Sequence, residues 1–272
     1  MKIGICQLKI IWEEKEATRK KVVDFLIAAK KKEADIVLFP EMTLTGFSMN
    51  VEKTKDEQYG DTIGEFQQIC KEIGIGAGFG WVEGACEGNV SGTGNDVKRG
   101  KAHNHYAIVS DAGELLADYV KIHPFSYGAE AEHFEGGNQV VHCEYKEHKI
   151  GMAICYDLRF PELFRLMDED CSLFVVPANW PARRRVHWSC LLQARAIENQ
   201  VYVAGINCVG QIENQYYSGD SELFNPLGET LGKLVDEEGL ILCEISNDVE
   251  EYRTKFPVRK DQKIQIRKIE EW

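Results

Sequence analysis

The chain of 272 residues sets 32 Lys and Arg against 44 Asp and Glu, a formal net charge of −12, with 44% hydrophobic and 28% charged residues. These proportions exclude a disordered chain, which combines low hydrophobicity with high charge, and twelve excess negative charges give no footprint for a phosphate backbone or anionic lipid, both of which want clustered Lys and Arg. No apolar run approaches the ~18 residues of a membrane span, so neither a nucleic-acid nor a membrane partner is expected.

In chain order, residues 2–8 read as a strand and residues 14–32 as a helix, with Val22, Phe25, Leu26 and Ala29 at the i, i+3, i+4, i+7 spacing of one buried face. Residues 36–39 form a continuous apolar run of buried-strand type that stops at Pro40. A helix over 62–71 and a strand over 75–83 follow. The glycines of 74–80 do not spell G-x-G-x-x-G, and no G-x-x-x-x-G-K-[ST] occurs, so they are read as places where backbones approach closely. Residues 84–104 are rich in Gly, Ser, Asn and Lys and read as a long loop; Asn89-Val90-Ser91 within it matches a glycosylation sequon by chance. Next come a hairpin over 106–109 and 115–120, strands over 139–144 and 149–155, and a helix starting near Pro161, a residue suited to a first helical turn. A strand over 173–177, a helix over 186–198 and strands over 201–206, 221–225, 230–235 and 240–245 complete the pattern. Mixed alternation of this kind predicts an α/β layered domain with helices on the sheet faces. No linker interrupts residues 1–272, which are read as a single domain whose charged tail, from about 248, packs on the surface or on a partner subunit.

Nine cysteines lie at 6, 70, 86, 143, 155, 171, 190, 208 and 243, with no C-x-x-C among them, so the usual zinc and dithiol spacings are absent. The odd count, and a chain that opens directly on a strand with no leader-like run, predict a reduced cytoplasmic setting. Most of these cysteines then serve as small buried hydrophobes.

Ligands of open α/β sheets sit beyond the carboxyl ends of strands, and three titratable residues fall at such places: Glu41, Lys121 and Cys155. Cys155 stands where a small, apolar run turns sharply toward a helix, so its thiol projects as a nucleophile would. A thiol of ordinary pKa is only a few per cent ionised at neutral pH and needs a base, which Glu41 can supply. A Cys-His pairing is the competing arrangement. His123 and His133 lie nearest to Lys121, but neither is expected to have an acid partner behind it, and Cys with Glu and Lys fits better.

Phe39-Pro40-Glu41-Met42 with Gly46-Phe47, the segment Val120 to Phe125, and Gly151 to Glu162 resemble the three signature blocks of the nitrilase superfamily of carbon-nitrogen hydrolases. Further similarity lies in Val176 to Pro181, Ala194 to Gln200, and Gly219 to Ser221 with Asn225 to Gly228, so the resemblance covers residues 1 to about 257. It implies a four-layer α-β-β-α sandwich that pairs into a homodimer or a higher homo-oligomer. It also implies a Glu-Lys-Cys triad at Glu41, Lys121 and Cys155, supported by a second glutamate, Glu130, with Glu132 and Glu135 as rivals. The chemistry so implied is attack of Cys155 on an amide carbon, an oxyanion held by Lys121 and the Tyr156 N–H, release of ammonia, and hydrolysis of a thioester, with no metal and no organic cofactor.

The substrate that the resemblance implies is a small-molecule amide. The block from Asn179 to Arg185 with His187 and Trp188 is similar to the omega-amidase branch, which acts on ω-amides of dicarboxylic acids such as 2-oxoglutaramate and succinamate. An arginine would grip the free carboxylate of such a substrate, with Arg159, Arg183, Arg184 and Arg185 as candidates. Phe47, Tyr156, Asn179 and Trp180 are expected to line the pocket, and Arg195, on an apolar helix face, to form a buried pair with an acid. The alternatives are an N-carbamoyl amine amidohydrolase or a nitrilase with the same triad, or a catalytically idle binding and dimerisation module.

Overall fold

The computed structural model describes residues 1–85, 100–167 and 171–264; the sequon at Asn89, Cys86 and residues 265–272 lie outside the described residues. One sheet comprises β1 (Lys2–Gln7), β2 (Ile36–Leu38), β3 (Gly76–Glu83), β4 (His103–Val109) and β5 (Leu115–Val120). The other contains β6 (His142–Tyr145), β7 (His148–Met152), β8 (Leu173–Ala178), β9 (Tyr202–Asn207), β10 (Val209–Ile212), β11 (Gln215–Phe224) and β12 (Thr230–Val235). A last strand, β13 (Gly239–Glu244), returns to the first sheet, whose order is β13-β1-β2-β3-β4-β5; the second runs β10-β11-β9-β8-β7-β6 with β12 on β11. Within these mixed sheets β1, β2 and β3 are mutually parallel, as are β7, β8 and β9.

Alternation along the strands builds the layers. Ile36 and Leu38 of β2 face the second sheet and pack with Ile150, Met152, Leu173 and Val175, whereas Val37 and Phe39 face outward. That outward face meets α1 (Lys15–Lys30) through Val22, Leu26 and Ala29, and α3 (Asp61–Ile73) through Phe66 and Cys70; a short α2 (Val51–Thr54) lies between them in sequence. On the far side, Phe174 and Val176 of β8 pack against α5 (Pro161–Leu166) and α6 (Arg185–Asn199), where Trp188, Leu192 and Ala196 form the buried stripe. Three apolar interfaces separate four layers, helix, sheet, sheet and helix: the four-layer α-β-β-α sandwich. Two buried sheet faces explain why the central strands read as continuous apolar runs.

Two sequence expectations need correction. The loop assigned to 84–104 ends early, because β4 begins at His103 and pairs with Glu83 of β3, so Asn104 lies in a strand. Residues 209–220, given no element, form β10 and the first half of β11; the polar residues of Gln211 to Gln215 interrupt the apolar run there, and register comes from the pairing of Ile212 with Gln215 across the turn. The tail forms α7 (Val249–Lys255) against the body of its own chain, where Arg253 donates to the carbonyls of Cys171 at 2.8 Å and Asn199 at 3.2 Å.

Candidate active site

The backbone beyond β2 turns through Pro40 and delivers Glu41 into the interior, fully buried. Thr43 clamps the turn by donating to the Pro40 carbonyl at 2.6 Å and accepting from the Gly80 N–H at 2.8 Å. Gly80 is required there, because a Cβ at that residue would stand 2.2 Å from the Met42 nitrogen and 2.9 Å from the Glu41 carbonyl carbon. The close approach expected among the glycines of β3 thus occurs against the Glu41 turn.

Lys121 follows the last residue of β5 and is 1% exposed. Its ammonium lies 2.8 Å from Glu41 Oε1 and 3.0 and 2.8 Å from the two oxygens of Glu130, the first residue of α4 (Glu130–His133). Glu130 is fully buried and also accepts from the Phe125 N–H at 2.6 Å, whereas its rivals Glu132 and Glu135 are exposed. Asn104 joins the two acids: its side-chain amide donates to Glu41 Oε1 at 2.8 Å and Glu130 Oε1 at 3.0 Å. Burial works to strip the proton from Lys121, but Glu130 and then Glu41 outweigh it and hold the ammonium well above its ordinary range. A fixed, permanently charged cation results.

Cys155 follows β7 by three residues and has φ of 47°, in the left-handed region that a side chain rarely adopts. Such strain, of order 1–3 kcal/mol, persists only where the surroundings enforce it. Asp157 does so: its buried carboxylate accepts from the N–H of Ile154 at 2.9 Å, the N–H of His123 at 2.9 Å and the hydroxyl of Tyr119 at 2.8 Å. His123 also presents its Nδ1 to Asp157 at 2.7 Å and stacks on Phe160. The expectation that His123 lacks an acid partner is therefore wrong; the pair braces the end of β5 to the Cys155 turn. Behind the turn, buried Arg195 donates to the Leu158 carbonyl at 2.8 Å and pairs with Glu198 at 2.9 Å. Burial and then the Glu41 charge push the Cys155 thiol well above its ordinary range, with Lys121 pulling the other way. Burial and the Glu41 charge therefore favour the protonated thiol, and Lys121 favours the thiolate.

Cys155 and Tyr156 open on a cavity of about 280 Å³, at the small end of ligand pockets. Phe47, Arg159, Asn179, Trp180 and Arg183, the candidate binding residues, line the same cavity, together with Arg184. The Asn179 amide is turned toward Glu41, donating from its side chain to the Glu41 carbonyl at 2.7 Å. The Arg159 guanidinium lies over Trp180, 4.7 Å from the ring centre, and that of Arg184 over Phe125 at 5.2 Å. Burial, then the charges of Arg183 and Arg159, hold Arg184 below the ordinary guanidinium range. Three arginines, Arg159, Arg183 and Arg184, thus line one cavity of a strongly acidic chain. Arg185 is not among them; it pairs with Asp220 at 2.6 Å.

Sequence reasoning missed Asn104 and Asp157. Asn104 shares a strand face with Tyr106 and Ile108, and a lone amide on that apolar face was the available signal. Asp157 lies inside the Cys155 block, but its distant partners, Tyr119 and His123, lie in and just beyond β5.

A family model described as carbon-nitrogen hydrolase matches residues 2–254. The chain is 33% identical to the omega-amidase YafV of Escherichia coli (strain K12), covering 96% of both proteins, and 30% identical to the 2-oxoglutaramate amidase of Bacillus subtilis (strain 168), covering 89% of this chain and 90% of that one. Among solved structures, XC1258 of Xanthomonas campestris, a CN-hydrolase superfamily protein with an arsenic adduct in its active site, superposes with a TM-score of 0.86 at 27% identity over 98% of both chains. An amidase from Nesterenkonia sp. shares the fold, with a TM-score of 0.80 at 22% identity over 96% of this chain and 95% of that one.

Proposed function

From a chain that belongs to the carbon-nitrogen hydrolase family, we propose an amidase that removes the terminal amide of a small ω-amide carrying a free carboxylate, of the 2-oxoglutaramate or succinamate type. The observation that carries the substrate class is the set of three arginines facing the cavity that Cys155 enters. The amide carbon is set at Cys155 and the carboxylate at the guanidiniums. Relatives named omega-amidase and 2-oxoglutaramate amidase support the same reading.

Glu41 takes the thiol proton as Cys155 sulfur attacks the amide carbon. The oxyanion forms beside the Lys121 ammonium and the Tyr156 N–H, donors whose single removal costs about 10²–10³ in rate. Glu41 returns the proton to the leaving nitrogen, ammonia departs, and a thioester links acyl group to Cys155. Water then adds to the thioester, giving its proton to Glu41, and the acid leaves as the thiol is restored. Lys121 keeps its charge throughout, because Glu130 neutralises part of the field it would otherwise bear alone.

Residues 1–272 are read as one hydrolase domain working in the reduced cytoplasm as a homodimer or larger homo-oligomer. Ammonia release over a panel of succinamate, 2-oxoglutaramate, glutamine, asparagine, N-carbamoyl amines and simple nitriles tests the substrate class. Turnover confined to N-carbamoyl amines or nitriles would overturn it, and none on any compound would favour a binding module.

A further inference from the structure

The outer face of the first sheet carries a second cluster of titratable groups, away from the cavity. β3 and β4 pair with Glu83 opposite His103 and Trp81 opposite His105. Alternate residues of a strand share a face, so both histidines, Trp81 and Glu83 lie on the helix-facing side. Asn104, between the histidines, points the opposite way into the catalytic group.

His103 Nδ1 lies 3.0 Å and His105 Nε2 3.2 Å from one oxygen, Glu83 Oε2. The three ligand atoms all fall within 4.8 Å of one another. The His105 ring is 4% exposed and the Glu83 side chain 17%. The other His105 nitrogen, Nδ1, lies 3.0 Å from Asp118 Oδ2, while Asp118 Oδ1 accepts the Trp81 indole N–H at 3.0 Å. With the proton of a neutral ring on Nδ1, donated to Asp118, the Nε2 lone pair of His105 turns toward Glu83. Two acceptors then face each other across 3.2 Å, and a positive charge between them satisfies both.

We propose that Glu83, His103 and His105 bind a divalent cation of the zinc class, with Asp118 orienting His105. Imidazole and carboxylate hold zinc at about 2.0–2.2 Å, which in a tetrahedron places ligand atoms roughly 3.3–3.5 Å apart. The nitrogen–oxygen separations of 3.0 and 3.2 Å widen slightly to admit it, and the two histidine nitrogens, within 4.8 Å of each other, settle to the same spacing by side-chain rotation. A histidine ligand whose second nitrogen donates to a carboxylate is the recurrent arrangement around protein-bound zinc. Two nitrogens and one oxygen leave a fourth position for water. The cation would pin the end of β3 to the start of β4 and hold both neighbours of Asn104, without touching the reacting atoms.

The test uses the full chain, stripped with chelator and titrated with Zn²⁺ by calorimetry. One equivalent should bind saturably, raise the melting temperature, and release protons so that affinity falls as pH falls. Binding should persist in Cys155→Ala, which removes the catalytic thiol as a competing ligand. It should be lost in His103→Ala and Glu83→Gln, and weakened about 10- to 100-fold in Asp118→Asn. The His103 side chain is 30% exposed, so its replacement is expected to leave the fold in place, which the circular dichroism of the metal-free variant checks. Absence of saturable binding, binding unchanged in His103→Ala, or binding that disappears with Cys155→Ala would overturn the site and leave a proton as the charge between the two carboxylates.

Discussion

Asn179 closes over Glu41 from 138 residues away, its main-chain N–H donating to Glu41 Oε2 at 3.0 Å and its side-chain amide to the Glu41 carbonyl at 2.7 Å. With Asn104 and Lys121 on the other oxygen, the Glu41 carboxylate is enclosed by donors and held in one orientation. That arrangement suits a group that must accept a proton at a fixed point and return it elsewhere.

Glu41→Gln keeps the shape but offers one oxygen to donors that served two. We expect kcat to fall about 10²–10⁴-fold, the range of a lost general base, with a smaller change in KM. Stability should fall by about 1.5–3 kcal/mol, the worth of a hydrogen bond to a charged group. Ammonia release and thermal melting read the two effects, and a variant with wild-type kcat would remove Glu41 from the proton path.

Gly80→Ala must move the Glu41 turn, because its Cβ would lie 2.2 Å from the Met42 nitrogen. A displacement of about 1 Å at a catalytic group costs about 10²-fold in rate, and that loss is expected in kcat. Gly64→Ala is the control: it sits in α3 with nothing within 4 Å of the added Cβ, and should leave activity intact while stabilising the chain by about 0.5–1 kcal/mol.

Replacing Arg184 or Arg159 with Gln should lower kcat/KM for a carboxylate-bearing ω-amide roughly 10- to 150-fold, mainly through KM, the equivalent of one charge-assisted hydrogen bond. A neutral primary amide of similar length should be unaffected. Equal losses on both substrates would mean that the arginines act structurally.

Buried thiols make the chain sensitive to alkali. Burial, aided by Asp111 at Cys70 and by Cys171 at Cys143, pushes both thiols up to about 12, while an unfolded thiol titrates near 8.5. Between those values the folded chain holds protons that the unfolded chain has lost, so this stabilisation is complete below pH 8.5 and declines as pH rises. The slope should be about 1.4 kcal/mol per pH unit for each thiol, and Cys6 and Cys208, also raised by burial, add to it. Denaturant unfolding followed from pH 7 to 10.5 checks this, and a flat profile contradicts it.

The sequence by itself determined the parts of the site whose neighbours are close in the chain. Glu41, Lys121 and Cys155 each end a recognisable strand, and the alternation of apolar runs with helical stripes predicted the layers because burial on one or both faces leaves a period in the residues. The tertiary structure decided everything that depends on which distant residue faces which. Glu130 was separated from Glu132 and Glu135 by its burial against Lys121, and Arg184 from Arg185 by the latter's pairing with Asp220. Asn104 entered the site because β4 begins two residues before His105 and directs alternate side chains to opposite faces, one toward Glu41 and two toward Glu83. Strand pairing brings residues twenty or more positions apart to within hydrogen-bonding distance, and such pairing leaves no local pattern along the chain.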